Sequence, residues 1–230
     1  MPKKKKTSAS NAAGPAAKRV ILIRHGESFG QTARASGLDR KTSPKLLDAG
    51  LTRRGENQAM NLPKTFDVSQ IELIVSSPLT RAASTASLIF RSLAAQEDVQ
   101  QQQVPFIIRP EIREAGSKIP ENQARSARDV IDSLQRLPAP VPGIDTWIDW
   151  THLPDTWPNN ADERRVSRVE KDAQWGSFNE FLRSRPEQTI AVVCHFMVIN
   201  SMLRGQISQN VENCVPFECE LREEGLIIIG

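Results

Sequence analysis

The order of apolar and polar segments in this chain predicts an α/β fold of three layers, α/β/α, in which helices flank a mostly parallel sheet. From residue 19 onwards apolar strands alternate with helical segments, which is typical of a parallel sheet covered on both faces. With 230 residues, 39% of them hydrophobic, the chain can bury the core of one α/β domain. No apolar run approaches the ~20 residues of a membrane span, so we expect no membrane partner.

The charge distribution separates a tail from a folded body. Residues 1–19 hold six basic residues and no acid, so of the net charge of +3 the remainder carries −3. We expect residues 1–18 to form a disordered basic tail and residues 19–230 to form one domain. A mildly acidic body argues against a nucleic-acid partner. Without a recognisable secretory signal the expected location is cytoplasmic, and the Lys3–Lys6 run leaves a nuclear address as the alternative to a plain solvated tail.

Short apolar runs predict the strands of the sheet. The runs at 20–23, 71–75, 106–108 and 190–194 have the length and bounding residues of buried strands. The segments 215–221 and 226–229, joined by Glu223-Glu224-Gly225, predict a closing hairpin at a sheet edge.

Capping signals predict the helices between those strands. Thr52 is the expected N-cap of the first helix. Pro78 in a first turn, preceded by a serine cap, predicts a helix over 79–94. Further helices are predicted over 122–136, 161–183 and 197–204.

A Pro- and Trp-rich insertion is predicted over residues 138–160. Three of the four tryptophans fall between Trp147 and Trp157, after Pro138, Pro140 and Pro142. Long irregular insertions often carry specificity, which favours a lid or a substrate wall. Tryptophans that anchor the loop to the body explain the pattern equally well.

Two of the three histidines follow predicted strands. His25 stands in Arg24-His25-Gly26-Glu27 after the first strand, and His195 follows the run 190–194. Ligands of open α/β sheets bind beyond the carboxyl ends of the strands, where a histidine beside an arginine can attack a phosphoryl group. Two unrelated, locally hydrogen-bonded histidines are the alternative.

The cysteines do not indicate a metal site. Cys194, Cys214 and Cys219 are odd in number, and their spacing matches no zinc pattern. We therefore expect no metal and no cofactor, and a reducing compartment.

Five segments in order resemble the histidine phosphatase superfamily, whose fold is phosphoglycerate mutase-like. The resemblance covers about residues 19–229. Its segments are Arg24-His25-Gly26-Glu27-Ser28, the stretch Leu51-Thr52-Arg53-Arg54-Gly55 continued by Gln58-Ala59, the stretch Ser76-Ser77-Pro78-Leu79-Thr80-Arg81-Ala82 continued by Thr85-Ala86, then Glu111-Ile112-Arg113-Glu114 and Val192-Val193-Cys194-His195.

The resemblance implies a role for each matched residue. His25 is the expected nucleophile, which would form a phosphohistidine. Glu114 is the expected general acid and base, with Glu111 as the alternative. Arg24 and Arg81 would hold the phosphate oxygens with planar guanidinium groups, and His195 would face the same phosphate. Gln31 stands where the mutase branch often has asparagine, and it could offer its amide N–H to the phosphate.

Two departures from the family pattern favour hydrolysis over phosphoglycerate mutation. One is Gln31, and the other is Phe196, which stands where glycine often follows the second histidine. A phosphoglycerate mutase-type phosphotransferase is the first alternative, and a non-catalytic module that binds phospho-ligands is the second. The expected partner is a small phosphorylated substrate, with a phosphoprotein left open. The sequence indicates no oligomeric state.

Overall fold

The computed structural model describes residues 17–33, 35–94, 103–116, 118–155, 157, 168–203, 205–207 and 211–229. The first strand already begins at Lys18. Of the predicted tail, residues 1–16 lie outside the described residues. So do Thr156 and residues 158–160 of the predicted insertion, and residues 161–167 of the helix predicted over 161–183.

Strands and helices alternate along the described residues as the sequence predicts. The strands are β1 (Lys18–Arg24), β2 (Leu73–Ser76), β3 (Phe106–Ile108), β4 (Ile148–Asp149), β5 (Thr189–Cys194), β6 (Pro216–Arg222) and β7 (Gly225–Ile228). The helices are α1 (Arg53–Asn61), α2 (Thr80–Ile89), α3 (Arg91–Ala94), α4 (Ala127–Leu134), α5 (Ile144–Trp147), α6 (Arg168–Ser184) and α7 (Phe196–Met202). Short 3-10 turns, among them Pro44–Leu46 and Pro120–Asn122, lie between them.

The strands form one sheet in the order β4-β3-β2-β5-β1-β6-β7. The first five strands of that order pair in parallel, whereas β6 pairs antiparallel with both β1 and β7. The predicted mostly parallel sheet and the closing edge hairpin are both confirmed. The hairpin turns at Gly225, whose φ of +127° lies in a region that favours glycine.

Alternate residues of the central strands supply two hydrophobic cores, one on each face of the sheet. On β1, Ile21 and Ile23 belong to one core and Val20 and Leu22 to the other, and all four are fully buried. Residues of α1, α2, α4 and α5 pack into the first core, and residues of α6 and α7 into the second. The predicted three-layer arrangement is therefore confirmed.

Part of the Pro- and Trp-rich segment belongs to the body of the fold. Residues 144–149 form α5 and β4, and β4 extends the sheet beside β3. Trp147 is buried, and its indole N–H donates to the carbonyl of Val104 at 2.9 Å. The indole N–H of Trp157 donates to the carbonyl of Arg125 at 3.0 Å. Both tryptophans thus anchor the segment, as one of the two sequence interpretations expects. The sequence analysis did not predict β4, because a two-residue strand is too short to show a periodic pattern.

Two predicted helices begin later than the sequence pattern indicates. The one expected over 122–136 begins at Ala127, because Ser126 caps it by accepting from the N–H of Asp129 at 3.2 Å. The one expected over 79–94 begins at Thr80 and is divided into α2 and α3. At its start Ser77 accepts the N–H of Leu79 at 3.3 Å, while Leu79 itself occupies the N-cap position.

Candidate active site

Sheet topology brings His25 and His195 together. β1 and β5 are parallel neighbours in which Arg24 pairs with Cys194, so the residue after each strand is a histidine. The N–H of His25 donates to the carbonyl of Cys194 at 3.0 Å, and the two imidazole rings make an edge contact with centroids 5.1 Å apart. The pairing predicted from two strand ends is therefore present in the fold.

The hydrogen bonds of His25 define which ring nitrogen can react. Nδ1 lies 2.7 Å from the carbonyl oxygen of Gly26, which can only accept, so Nδ1 carries the proton. Nε2 accepts from the guanidinium Nε of Arg81 at 3.2 Å and so has a lone pair. The side chain is 5% exposed. Burial, and then the positive charge of Arg81, lower the pKa of His25 well below its ordinary value, so the ring is neutral.

Arg81 is held rigidly from behind by a turn distant in sequence. Its Nη1 donates to the carbonyl of Glu121, and its Nη2 donates to the side-chain oxygen of Asn122 at 2.8 Å. Asn122 is in turn fixed by donating to the carbonyl of Ala115 at 2.7 Å. Arg81 is 2% exposed, and these hydrogen bonds fix the plane of its guanidinium group before any ligand binds.

Arg24 approaches the same place from the end of β1. Its Nη1 donates to the carbonyl of Val211 at 2.6 Å, and its carbon Cζ lies 5.4 Å from the ring centroid of Phe196. Phe196, the residue that departs from the family pattern, thus packs against an arginine of the site and lines the same cavity.

The His195 ring contacts the His25 ring, and His195 is not among the residues that line the cavity. Its Nε2 is 2.7 Å from the hydroxyl of Ser77, and within the described residues its buried Nδ1 has no hydrogen-bond partner. Burial and the charge of Arg81 lower the pKa of His195 well below its ordinary value, so the ring is neutral. If the Ser77 hydroxyl donates to Nε2, Nδ1–H remains as a donor.

Glu114, rather than Glu111, lies on the cavity wall. The N–H of Ala115 donates to Glu114 Oε1 at 3.1 Å, and that of Met197 approaches Oε2 at 3.4 Å. Burial raises the pKa of Glu114, which favours the protonated form that a general acid needs. Glu111 instead forms an ion pair with Arg109.

Gln31 lies in the cavity wall, but its amide is engaged within the protein. Its oxygen accepts the N–H of Ser28 at 3.0 Å, and its nitrogen donates to Asn213 at 3.2 Å. Asn213 donates to the carbonyl of His25 at 2.6 Å and thereby holds the backbone of the proposed nucleophile. Asn213 precedes β6 and no motif marks it, so sequence reasoning missed it; a phosphate-binding role of Gln31 stays a prediction.

The other motif residues shape the turn around His25. Glu27 accepts from the hydroxyl of Thr52 at 2.7 Å and lies 3.4 Å from Arg54. Thr52 also caps α1 by accepting the N–H of Gly55. These contacts agree with the structural role that the sequence assigns to Thr52.

Together these elements enclose a cavity of about 800 Å³. Two further cavity residues that the sequence analysis did not single out are Arg40 and Glu121, which form an ion pair. The charged residues that line the cavity are Arg24, Arg40, Arg54, Arg81, Glu114, Glu121 and Glu212.

Unsatisfied polar atoms concentrate in residues that line the cavity or contact the His25 ring. Of the four buried side-chain nitrogen or oxygen atoms without a hydrogen-bond partner in the described part of the chain, three are Arg24 Nε, Ser28 Oγ and His195 Nδ1. Buried polar atoms normally have partners, so such a cluster indicates a ligand site. Two guanidinium groups and these donors suit an anion with several oxygen atoms, such as a phosphoryl group.

The described residues contain no group of three or more His, Cys, Asp or Glu side chains arranged to hold a metal ion. None of their helices has both the length and the apolar character that crossing a membrane requires.

Known proteins resemble this chain over most of its length. A Schizosaccharomyces pombe protein named "probable phosphatase" is 24% identical over 203 residues, which are 87% of this chain and 84% of the relative. The alpha-ribazole phosphatase structure from Shigella flexneri matches with a TM-score of 0.53 at 23% identity over 92% of this chain and 94% of the other. The ecdysone phosphate phosphatase structure from Bombyx mori matches with a TM-score of 0.55 at 14% identity over 93% and 92%. These structures support the fold.

The family comparison agrees with the motifs. The sequence model of the histidine phosphatase superfamily (branch 1) matches residues 20–138, about half of the chain. That range includes Arg24, His25, Arg81 and Glu114, whereas His195 lies beyond it. This protein therefore belongs to the histidine phosphatase superfamily, branch 1.

Proposed function

We propose that this enzyme hydrolyses a phosphomonoester in two steps through a phosphohistidine on His25. The lone pair of His25 Nε2 attacks phosphorus while the bond from phosphorus to the ester oxygen breaks, and Glu114 gives that oxygen its proton. A water molecule then attacks phosphorus, the bond to Nε2 breaks, and Glu114 takes the proton from the water. Histidine and carboxyl group are thereby restored.

The observation that carries this proposal is the pair of hydrogen bonds that the His25 ring makes with the Gly26 carbonyl and with Arg81. The Gly26 carbonyl accepts from Nδ1–H, and the Arg81 guanidinium donates to Nε2. The reactive lone pair is therefore on Nε2 and points toward Arg81. A neutral histidine with Nε2 free of a proton is a nucleophile, whereas a structural histidine has no need of an arginine at its acceptor nitrogen.

The surrounding cations support the same chemistry. Arg24 and Arg81 would stabilise the charge on the non-bridging oxygens during transfer, which is the main requirement of phosphoryl-transfer catalysis. Nδ1–H of His195 would add a neutral donor.

The proposed substrate is a small phosphorylated molecule. A cavity of about 800 Å³ is in the range of pockets that enclose metabolite-sized ligands. The names of two structural neighbours include α-ribazole and ecdysone phosphate, which are chemically unlike. The alcohol that this protein's substrate carries is therefore not inferred from those names. Phosphoproteins stay open as substrates.

Phosphate release from p-nitrophenyl phosphate and a panel of phosphometabolites tests the proposal. We expect wild-type release, none from His25→Ala, and unchanged release from the matched control His152→Ala, whose exposed ring lies outside the cavity. Addition of 2,3-bisphosphoglycerate separates the mutase alternative, which predicts interconversion of phosphoglycerates without net release. Turnover retained by His25→Ala would rule out the nucleophile assignment.

A further inference from the structure

The buried carboxylate of Asp48 replaces the missing cap of helix α2. Leu79 is at the N-cap position of α2 and has no side-chain acceptor. Asp48 instead accepts the backbone N–H of Thr80 at 2.9 Å and the Thr80 hydroxyl at 2.5 Å. Asp48 is 1% exposed, and 31 residues separate it from Thr80 along the chain. A carboxylate at a helix N-terminus satisfies free N–H groups and is favoured by the helix dipole.

The backbone of Asp48 binds the second element that holds Arg81. Its N–H donates to the carbonyl of Pro120 at 3.0 Å. Pro120 begins the 3-10 turn whose next two residues, Glu121 and Asn122, accept from the Arg81 guanidinium. Asp48 is thus hydrogen-bonded to the backbone beside Arg81 at the start of α2 and to the turn that binds the Arg81 guanidinium.

The conformation of Asp48 suits this double attachment. Its φ of +44° lies in the left-handed region, where aspartate and asparagine are the most tolerated residues after glycine. Such a conformation persists only where the surroundings impose it, and it is common at functional sites.

The carboxylate has more donors than an amide could accept. Besides the two groups of Thr80, the Nε of Arg125 lies 3.3 Å from Asp48 Oδ2. Arg125 also donates to the Thr80 hydroxyl at 2.9 Å, which closes a ring of three side chains. Asparagine at position 48 would turn an NH₂ group toward one of these donors.

We propose that Asp48 is a positioning residue for phosphoryl transfer: it holds the start of α2 and the Pro120–Asn122 turn in the register that places the Arg81 guanidinium against His25. This inference rests on the proposed function, because Arg81 is the group through which Asp48 acts.

A double-mutant cycle between Asp48→Asn and Arg81→Ala tests the inference. In the wild-type background we expect Asp48→Asn to lower kcat by about tenfold or more with little change in KM, because Arg81 acts mainly on the transition state. In the Arg81→Ala background the same substitution should change kcat by less than about twofold. Asp129→Asn makes the same exchange in the exposed first turn of α4 and should leave kcat unchanged in both.

Equal losses in both backgrounds, or no loss in either, would overturn the inference. Should Asp48→Asn fail to fold, Thr80→Val removes one of the two bonds in the same cycle, and Thr80→Ser should restore the rate. A wild type that releases no phosphate would contradict the proposed function itself, whereas an active wild type with an additive cycle contradicts only the role of Asp48.

Discussion

At the scale of single residues, the surroundings of the active-site groups set their protonation states in opposite directions. Burial disfavours the charged form of each group, so it lowers the pKa of His25 and raises that of Glu114. With their ordinary pKa values, a neutral histidine and a protonated glutamate would rarely occur at the same pH. The two shifts favour a neutral His25 together with a protonated Glu114, which is the combination that the first step of the proposed mechanism requires.

Replacing Arg81 by lysine should lower kcat/KM by about 100-fold. The lysine keeps the charge but cannot donate to Glu121, Asn122 and His25 at once, as the planar guanidinium does. Steady-state kinetics on p-nitrophenyl phosphate measure the effect. Arg128→Lys, on an exposed part of α4, is the control; near-normal kinetics for Arg81→Lys would remove it from the site.

The substitution Glu114→Gln should affect alkyl phosphates more than p-nitrophenyl phosphate. An alkoxide needs a proton when it leaves, whereas p-nitrophenolate leaves as a stable anion. We therefore expect kcat/KM to fall about 100-fold for alkyl phosphates and by a smaller factor for p-nitrophenyl phosphate. Wild-type kcat/KM for alkyl phosphates should fall as pH rises through the pKa of Glu114, and that limb should vanish in the variant. Glu111→Gln is the control; equal losses on both substrates would contradict the acid role.

At the scale of elements, close backbone contacts lock helix α1 against the turn after β1. A Cβ on Gly55 would lie 2.1 Å from the carbonyl oxygen of Glu27, and one on Gly26 would lie 2.6 Å from that of Gly55. The N–H of Thr52 donates to the same Glu27 carbonyl at 2.9 Å. The resemblance to the family identifies these glycines as motif residues, and the packing supplies the physical reason.

Two glycine-to-alanine substitutions in helices should therefore have opposite signs. Gly176→Ala in α6 has nothing within 4 Å of the new Cβ and should stabilise the fold by up to about 1 kcal/mol. Gly55→Ala has the same gain in helix propensity, but the backbone must shift, and we expect a net loss of about 1–3 kcal/mol together with reduced turnover. Chemical denaturation measures both; a Gly55→Ala variant as stable as Gly176→Ala would contradict the close packing.

At the scale of the whole molecule, the site exists because distant segments converge on the carboxyl ends of β1, β2 and β5. The strand order places β5 between β1 and β2, so His25, Ser77 and His195 follow three adjacent strands. This arrangement buries two neutral histidines, His25 and His195, each with a pKa well below its ordinary value.

Acid should destabilise the protein through these histidines. In the unfolded chain His25 binds a proton below about pH 6.5, whereas in the folded state it stays neutral. The free energy of unfolding is therefore highest above that pH and decreases as the pH falls below it. Between pH 7.5 and 5.5 the expected loss from His25 is about 1.4 kcal/mol. His25→Asn should remove that part of the pH dependence, and His152→Asn should not. Denaturation curves at the two pH values check it, and identical pH dependence in His25→Asn would contradict the burial of a neutral ring.

The sequence by itself determined the fold class and the family, and it predicts the residues of the proposed active site. Alternation of apolar strands and helices predicts the three layers, since burial on both faces requires that pattern. The strand-end positions of His25 and His195 predict their proximity, because parallel strands end at one edge. The motifs predict Arg81 and Glu114 as members of the same site.

Only the tertiary structure decided how these residues are held and charged. Hydrogen bonds between segments far apart in the chain connect Asp48 to Thr80, Asn213 to His25, and the Pro120–Asn122 turn to Arg81, and no local period or motif encodes such contacts. Likewise, β4 is too short to produce a pattern and exists because β3 offers it an edge. The protonation state of His25 follows from its burial and from the Gly26 carbonyl and Arg81 around it, which are properties of the folded chain.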